Sequence, residues 1–412
     1  MRIAFIVTSF PELSTTFILN QITGLIDRGH EVDIYGDRPG NVRAMHPDVE
    51  RYRLLERTYC PRMPRSYALR MLKGVGLFAS TLPRAPLAAL RSLNVVRFRQ
   101  LAACVVLLYG MQPLLRRKPY DVIHCHFGPN GLKGVFFRES GLISGKLLTS
   151  FHGYDVSTYP RIYGGGVYRP LFETGDLYTA NTRFAASRAV QLGCPPERIA
   201  ILPESLDIGR FSFAERRLAP REEIRILTVA RLVEVKGVEY GIRAVAQLAP
   251  RHPALRYQVA GDGPLRQSLE ALARRLNVAD RVEFLGGQPY DRLVEFYARA
   301  HIFLLPGVVA RNGSVEAQGL VLAEAQASGL PVLATQAGGI PESVLDGQSA
   351  ILVPPRDVDA LADRLAYLIE HPDLWPTMGR AGRAYVEERY DIDRLNDRLV
   401  EIYKAVLAGQ SP

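Results

Sequence analysis

Short apolar runs alternate with longer amphipathic stretches along the chain. Such runs are typical of strands buried on both faces, and the stretches between them are typical of helices. This alternation predicts parallel sheets with right-handed crossovers. The predicted strands cover residues 3–7, 31–35, 121–124, 145–150 and 177–180 in the first half, and residues 226–229, 256–260, 281–284, 302–305, 332–334 and 351–353 in the second.

The length of 412 residues favours two domains over a single core. The predicted parts are a first α/β domain at 1–208, a polar, Arg-rich linker at 209–225, a second α/β domain at 226–390 and a final helical segment at 391–412. Residues 36–118 interrupt the first domain with a long, mostly helical insertion, whose basic part covers about residues 50–118.

Composition narrows the class of protein. Hydrophobic residues make up 47% and charged residues 23%, an ordinary balance for a globular protein. The four cysteines have neither disulfide-type nor metal-type spacing, which indicates a reducing compartment. The first apolar run is too short for a signal peptide, and no run reaches the roughly 18 apolar residues of a spanning helix. These features predict a cytoplasmic protein.

The basic residues are concentrated in one region. Residues 51–118 contain 14 Lys or Arg and a single acid, Glu56, and so carry +13 within a net charge of +9. Interleaved apolar stretches suit peripheral contact with an anionic membrane at its inner face. The alternatives are a solvated basic face or phosphate contacts with a soluble acceptor. No nucleic-acid partner is expected, because no nucleic-acid-binding motif accompanies the charge.

Two glutamates, Glu316 and Glu324, lie between the predicted strands 302–305 and 332–334. The pattern places Glu316 in a loop and Glu324 in the first turns of a helix. Both carboxylates can then face the carboxyl edge of a parallel sheet, where ligands of open α/β sheets bind. Carboxylates beside the free N–H groups of a helix N-terminus suit a ligand with hydroxyls and phosphates, such as a nucleotide sugar.

Six segments in order resemble one enzyme family. They are residues 9–11 with Phe17, residues 121–127, 151–155, 229–237 and 260–264, and the segment 314–332 with its two glutamates. The last is similar to the E-x7-E signature of the retaining glycosyltransferases of family 4. The opening and the His-x-His-Phe strand look most like the exopolysaccharide and colanic-acid transferases. The resemblance implies the α/β GT-B fold, with two Rossmann-like domains facing each other across a cleft and a final helix that returns to the first domain.

The donor contacts are expected at the carboxyl edge of the second sheet. Arg231 and Lys236 follow the strand 226–229, and two cations there can neutralise a departing diphosphate without a metal ion. The resemblance implies the same role for both. The backbone N–H groups of Gly319, Leu320 and Val321, at the start of a helix, would add to them.

The sugar and the nucleoside have their own predicted contacts. Glu324 is expected to bind the ribose hydroxyls, because a carboxylate accepts two hydrogen bonds at once, and Glu316 to meet the hydroxyls of the donor sugar. The resemblance implies that His152 binds the donor sugar from the opposite domain and that Gly263 lies near the nucleotide. Gly287 follows a strand and is expected to pass the base. The predicted catalytic residues are His152, Glu316, Arg231 and Lys236.

Acceptor contacts are predicted in the first domain. The acceptor-side residues are Ser9, Ser14, Thr15, Thr16, His126 and Asp155. The hydroxyls precede or begin a helix, and His126 lies near a strand end. Asp155 either orients the loop after His152 or meets the acceptor.

No metal ion or other cofactor is predicted. His124 and His126 alternate on one strand, but no third ligand accompanies them. No Asp-x-Asp motif occupies a strand end, and capping of a helix explains Asp391 and Asp393.

The sequence departs from the family pattern at two places. The chain has Ala317 and Gln318 after Glu316, where members usually have Gly and then an aromatic or aliphatic residue. Gln318 is therefore expected to place a polar side chain near the sugar. The chain also has Thr15 where the subfamily often has Glu, which removes an acid from the acceptor side.

The sequence therefore predicts a retaining, metal-independent glycosyltransferase. It would move a hexosyl unit from a UDP- or GDP-sugar to a glycan acceptor, lipid-linked or soluble, in bacterial surface or exopolysaccharide synthesis. The alternatives are a sugar-nucleotide epimerase of the same fold and a non-catalytic nucleotide-sugar-binding subunit. A dinucleotide oxidoreductase is not favoured, because no Gly-x-Gly-x-x-Gly follows the first strand of either half.

Overall fold

The computed structural model describes residues 1–12, 16–40, 45–115 and 118–410. The chain divides into two compact units. Unit 1 consists of Met1–Asn181, Ala185–Leu202 and Asp393–Pro412, and unit 2 consists of Thr182–Phe184 and Pro203–Ile392. The predicted first domain, residues 1–208, thus overlaps the range of unit 2.

Unit 1 is built on a seven-stranded parallel sheet. Strands β1 to β7 cover Arg2–Phe10, Glu31–Pro39, Thr58–Tyr59, Lys118–His126, Ile143–Phe151, Leu177–Ala180 and Ile199–Ile201. They lie in the order β3-β2-β1-β4-β5-β6-β7. Helices α1 to α10 cover Thr16–Asp27, Pro47–Arg51, Tyr67–Thr81, Pro86–Arg91, Val95–Ala103, Val106–Gly110, Gly128–Glu139, Thr158–Tyr163, Arg169–Thr174 and Arg183–Gln191.

Unit 2 is built on a six-stranded parallel sheet. Strands β8 to β13 cover Ile224–Val229, Leu255–Ala260, Val282–Gly286, Ile302–Leu305, Val332–Thr335 and Ala350–Val353, in the order β10-β9-β8-β11-β12-β13. Helices α11 to α17 cover Val238–Leu248, Arg266–Arg275, Tyr290–Arg299, Leu320–Ala327, Val358–Glu370, Trp375–Arg389 and Ile392–Leu407. From Asp393 onward, α17 belongs to unit 1.

Both faces of the unit 1 sheet are covered, which explains its continuous apolar strands. Alternate residues of β1 enter different cores, because successive side chains of a strand point to opposite faces. Ile3 and Phe5 enter a core that contains Tyr403 of α17, whereas Ala4 and Ile6 enter a second core. The last helix therefore completes one face of the first sheet.

Two short strands were not predicted. β3 has two residues and β7 has three, so neither is long enough to show a periodic pattern. Each pairs at an edge of the unit 1 sheet. The insertion that follows β3 is helical, as predicted, from α3 to α6.

The segment 209–225, predicted as a linker, is anchored within unit 2. The guanidinium of Arg216 is buried and donates hydrogen bonds to the carbonyl oxygens of Tyr297, Ala298 and Ser328. Burial lowers the pKa of Arg216 to about 10. Within the described residues, no helix combines the length and apolarity that crossing a bilayer requires.

Candidate active site

The predicted donor residues of unit 2 gather at the carboxyl edge of its sheet. Arg231 follows β8, and Glu316 lies in the loop that follows β11, the strand paired with β8. Gly263 follows β9 and Gly287 follows β10. Each residue therefore comes from a different strand end, and parallel pairing brings those ends to one edge.

Lys236 and Glu316 form an ion pair at this edge. Their side chains are only 14% and 16% exposed, so water screens the pair weakly. The two residues are far apart in sequence, and the pair arises because β8 and β11 are neighbours. Sequence reasoning assigned both residues to the donor site but did not predict that they bind each other.

Two glycines allow the loops of this edge to approach closely. Gly237 has φ +65°, and a Cβ there would lie 1.7 Å from the carbonyl oxygen of Pro306. A Cβ on Gly339 would lie 1.6 Å from the carbonyl oxygen of Ala317. Both positions therefore require glycine, and they fix the backbone next to Lys236 and Glu316.

Helix α14 begins beside the ion pair. Gly319 precedes it with φ +80°, a conformation that favours glycine. No described residue accepts a hydrogen bond from the backbone N–H of Gly319, Leu320 or Val321. Unused N–H groups at a helix start are suited to an anion such as phosphate.

Glu324 lies in α14 and is 6% exposed. The phenol of Tyr297 donates a hydrogen bond of 2.6 Å to its carboxylate. Burial raises the pKa of Glu324, and hydrogen bonds from Tyr297 and Tyr290 and the charge of Lys236 partly oppose that rise. Sequence reasoning did not identify the two tyrosines, because they lie on α13, outside the motif.

If Glu324 binds the donor as predicted, its raised pKa makes donor affinity depend on pH. Only the ionised carboxylate keeps enough oxygen lone pairs to accept from two ribose hydroxyls as well as from Tyr297. We therefore expect KM for the donor to rise by up to about tenfold per pH unit as pH falls below that pKa. The rise should begin at a higher pH than for an ordinary glutamate, and steady-state kinetics across pH would measure it.

Glu324→Gln removes the titrating group and should give a high KM that hardly changes with pH. Glu388→Gln is the matched control, since Glu388 is exposed on α16. A wild-type KM that is flat over the acid range, with Glu324→Gln unchanged from it, would contradict a role for Glu324 in donor binding.

Gln318 does not point towards a sugar, contrary to the prediction. It is 2% exposed, its side-chain carbonyl accepts from the N–H of Glu204 at 2.8 Å, and its amide donates to the Glu204 carbonyl at 3.1 Å. The amide satisfies the backbone of a buried segment of the same unit. The departure from the family pattern at this position therefore has a structural reason.

In unit 1, an aromatic stack surrounds His152. His152 follows β5, and its ring lies 4.6 Å from that of Phe17 and 5.2 Å from that of His126, between ring centroids. Nδ1 of His126 and Nε2 of His152 are 3.0 Å apart and share a hydrogen bond. Adjacent pairing of β4 and β5 brings these two histidines together.

His126 is neutral and positions His152. Burial lowers the pKa of His126 well below its ordinary value. Its Nε2 is buried and has no hydrogen-bond partner among the described residues. Because orphaned buried N–H groups are rarer than orphaned acceptors, we assign the proton to Nδ1, which donates to His152. The sequence predicts that His126 contacts the acceptor. The residue is 0% exposed, however, and its contact is with His152 and not with an acceptor at the surface.

His124 is held inside unit 1. Its Nδ1 lies 2.6 Å from the hydroxyl of Tyr403 on α17, and its Nε2 lies 2.7 Å from that of Ser150. Burial lowers the pKa of His124 to about 3, so the ring is neutral. Among the described residues, no three His, Cys, Asp or Glu side chains form a group that could hold a metal ion.

Asp155 orients the loop that carries His152. Its carboxylate accepts hydrogen bonds from the backbone N–H groups of Gly128, His152 and Gly153, at 2.9, 3.0 and 2.9 Å. The side chain is fully buried. Of the two roles predicted for Asp155, the geometry supports the loop and leaves no surface for an acceptor.

The remaining acceptor-side residues are placed only in part. Ser9 lies in β1, and its hydroxyl donates to Glu12 at 2.6 Å. Thr16 begins α1. Ser14 and Thr15 lie outside the described residues.

The paired parallel sheets and the residues at the second sheet edge define a class of protein, the GT-B glycosyltransferases. Solved structures agree on the fold. A structure of Alr3699/HepE from Anabaena with UDP aligns with a TM-score of 0.71 at 19% identity, over 98% of this chain and 100% of that one. WaaG, a glycosyltransferase involved in lipopolysaccharide biosynthesis, aligns with a TM-score of 0.68 at 18% identity, over 97% and 99%.

Sequence comparison identifies the family. Residues 210–385 match the family Glycosyl transferases group 1, and residues 14–204 match the Glycosyl transferase 4-like domain. The putative colanic acid biosynthesis glycosyltransferase WcaL of Salmonella typhimurium is 34% identical over 98% of this chain and 100% of its own length. The amylovoran biosynthesis glycosyltransferase AmsK of Erwinia amylovora is 31% identical over 98% and 99%. The chain belongs to this family of glycosyltransferases, family 4, as its motifs predicted.

Proposed function

We propose that this protein is a retaining glycosyltransferase that moves a hexosyl unit from a UDP- or GDP-sugar to a glycan acceptor. The acceptor is lipid-linked, and the reaction serves surface or exopolysaccharide synthesis at the inner face of the membrane. The observation that carries the proposal is the cluster of Lys236, Glu316, Arg231 and the unused N–H groups of α14 at one sheet edge.

The named relatives support the choice of donor and pathway. WcaL and AmsK are named for colanic acid and amylovoran biosynthesis. HepE was crystallised with UDP-glucose. A mannosyltransferase of Mycolicibacterium smegmatis, 31% identical over 69% of this chain, is named as GDP-mannose-dependent. Both uracil and guanine donors thus remain in the proposal.

The ion pair orders the donor site before the donor binds. Lys236 and Glu316 hold each other in place before the donor binds. We propose that the diphosphate then takes the place of Glu316 beside Lys236, and that the freed carboxylate accepts from hydroxyls of the donor sugar. Each polar group exchanges one partner for another, so neither is left buried and unpaired.

The proposed chemistry is a front-face substitution. The anomeric carbon–oxygen bond to the diphosphate breaks, the acceptor oxygen bonds the same face, and a leaving phosphate oxygen takes the acceptor proton. Arg231, Lys236 and the α14 N–H groups would stabilise the charge that develops on the leaving group. His152, held by His126 and the Asp155 loop, keeps its predicted contact with the donor sugar. No metal ion is required in this scheme.

The first test is hydrolysis of UDP-, GDP- and ADP-sugars without acceptor, for the wild type and Glu324→Ala, with and without EDTA. We expect selective release of one nucleoside diphosphate that persists in EDTA and falls in the variant. Loss of release in EDTA would overturn metal independence. Conversion of the sugar nucleotide to an epimer, with no diphosphate released, would favour the epimerase.

If no donor releases a diphosphate, thermal shift with the same panel distinguishes a site that needs its acceptor from the absence of a donor site. A ligand that binds the folded state raises Tm. A shift with one donor indicates a competent site that needs its acceptor, and NMR of a product made with added acceptor then reports the anomeric configuration. No shift with any donor would contradict the proposed function.

A further inference from the structure

Helix α3 carries its larger apolar side chains on the outside. Leu69, Leu72 and Val75, spaced three residues apart, are 42%, 72% and 72% exposed. The buried residues of this 15-residue helix are Gly74 and Thr81. A surface helix of a globular protein normally turns its apolar side inward, so this face is not explained by the core of unit 1.

Helix α4, which contacts α3, also carries its larger apolar side chains on the outside. Leu87 and Leu90 are 52% and 61% exposed, whereas the small Ala88 and Ala89 are buried. At the start of α5, Val96 is 91% exposed. Of the eighteen large apolar side chains that are exposed in the described chain, twelve lie in residues 55–96. A concentration of this kind marks an interaction surface.

Charge indicates what this surface binds. Residues 67–103, which span α3 to α5, contain six Lys or Arg and no acid. Lys73 and Arg84 are exposed beside the apolar side chains. Arg91 and Arg97 instead donate to Glu139 of α7 and so help to hold the helices on unit 1. An apolar surface flanked by exposed cations complements a bilayer whose headgroups are anionic.

We propose that α3 to α5 form a docking surface for anionic lipid. We call it the insertion surface, and it consists of Leu69, Leu72, Val75, Leu87, Leu90 and Val96 with Lys73 and Arg84. The apolar side chains would enter the boundary between headgroups and acyl chains, and the two cations would meet lipid phosphates. A second copy of the chain is a poorer partner, because pairing two such surfaces brings like charges together. The proposal does not rest on the transferase activity.

The test is flotation of the full chain with vesicles of phosphatidylcholine alone and of phosphatidylcholine with phosphatidylglycerol. We expect binding to the anionic vesicles that weakens as salt is added. Lys73→Gln with Arg84→Gln should weaken it about thirtyfold, since each basic residue at an anionic surface contributes about a fivefold gain. Leu72→Ser with Val75→Ser and Leu90→Ser should weaken it about tenfold or more.

Matched controls lie outside the insertion surface. Val309→Ser with Leu407→Ser removes exposed apolar side chains elsewhere, and Arg251→Gln removes an exposed cation. These variants should bind like the wild type. Equal binding to both vesicle types, or unchanged binding by both surface variants, would overturn the proposal. So would a wild-type dimer that the serine variant converts to a monomer, since the surface would then serve self-association. Because no donor is used, these outcomes are independent of the proposed function.

Discussion

Arg231→Ala is expected to lower kcat for glycosyl transfer by about a hundredfold to a thousandfold, the range found when one preorganised donor to a developing charge is removed. Arg231 follows β8 at the proposed diphosphate site. It is exposed and forms no ion pair with any described residue. Its removal should therefore leave Tm unchanged, so that the loss appears in turnover alone.

Arg251→Ala is the matched control for this experiment. Arg251 is also exposed on unit 2, but it follows α11 and precedes β9, at the opposite edge of the sheet. Its kcat should equal that of the wild type. A kcat within about threefold of the wild type in Arg231→Ala would contradict the proposed role, because loss of a charge-stabilising donor lowers kcat by about a hundredfold or more.

Lys236 needs a different design, because its side chain is mostly buried and pairs with Glu316. Lys236→Ala leaves an uncompensated carboxylate and mixes a structural cost with a catalytic one. A double-mutant cycle with Glu316→Gln separates the two, since the coupling term isolates the ion pair.

Asp155→Ala is expected to destabilise unit 1 by about 3–5 kcal/mol, the cost of removing the buried partner of several polar groups. Three backbone N–H groups would lose their acceptor. For a unit of this size, such a loss corresponds to a fall in Tm of roughly 10 °C. The loop that carries His152 should relax as well. Activity should therefore be reduced even at temperatures below Tm, where the variant is still folded.

The single tryptophan helps to show which unit Asp155→Ala destabilises. Trp375 is buried in unit 2, where its indole N–H donates to Leu368, so its fluorescence reports unit 2. Circular dichroism reports both units. Asp155→Ala should shift the dichroism transition, Asp155→Asn should shift it less because one oxygen acceptor remains, and the exposed Asp363→Ala should not shift it. An unchanged transition in Asp155→Ala would contradict the loop role.

The motifs placed the predicted donor residues correctly on their elements. Glu316 in a loop and Glu324 in the helix that follows were predicted, and α14 begins between them at Leu320. This succeeded because strand, turn and helix are local patterns that a few residues specify. Short edge strands such as β7 carry too few residues to show such a pattern and were missed.

Partners distant in sequence could not be predicted. The sequence pattern predicted a polar Gln318 side chain near the sugar, but in the fold this side chain binds the backbone of Glu204. It left Asp155 with two roles, and three backbone donors decide between them. In each case a buried polar group had to be satisfied, and only the fold determines which partner is near.

The sequence by itself determined the two parallel-sheet domains, the glycosyltransferase family and the strand ends that carry the proposed donor residues, because periodicity and motifs are local. It also showed that the insertion is basic and apolar. Only the tertiary structure decided that Lys236 pairs with Glu316, that His126 holds His152, and that α3 and α4 turn their leucines outward. Those outcomes depend on which elements become neighbours and which side of each is covered, and no single segment encodes that.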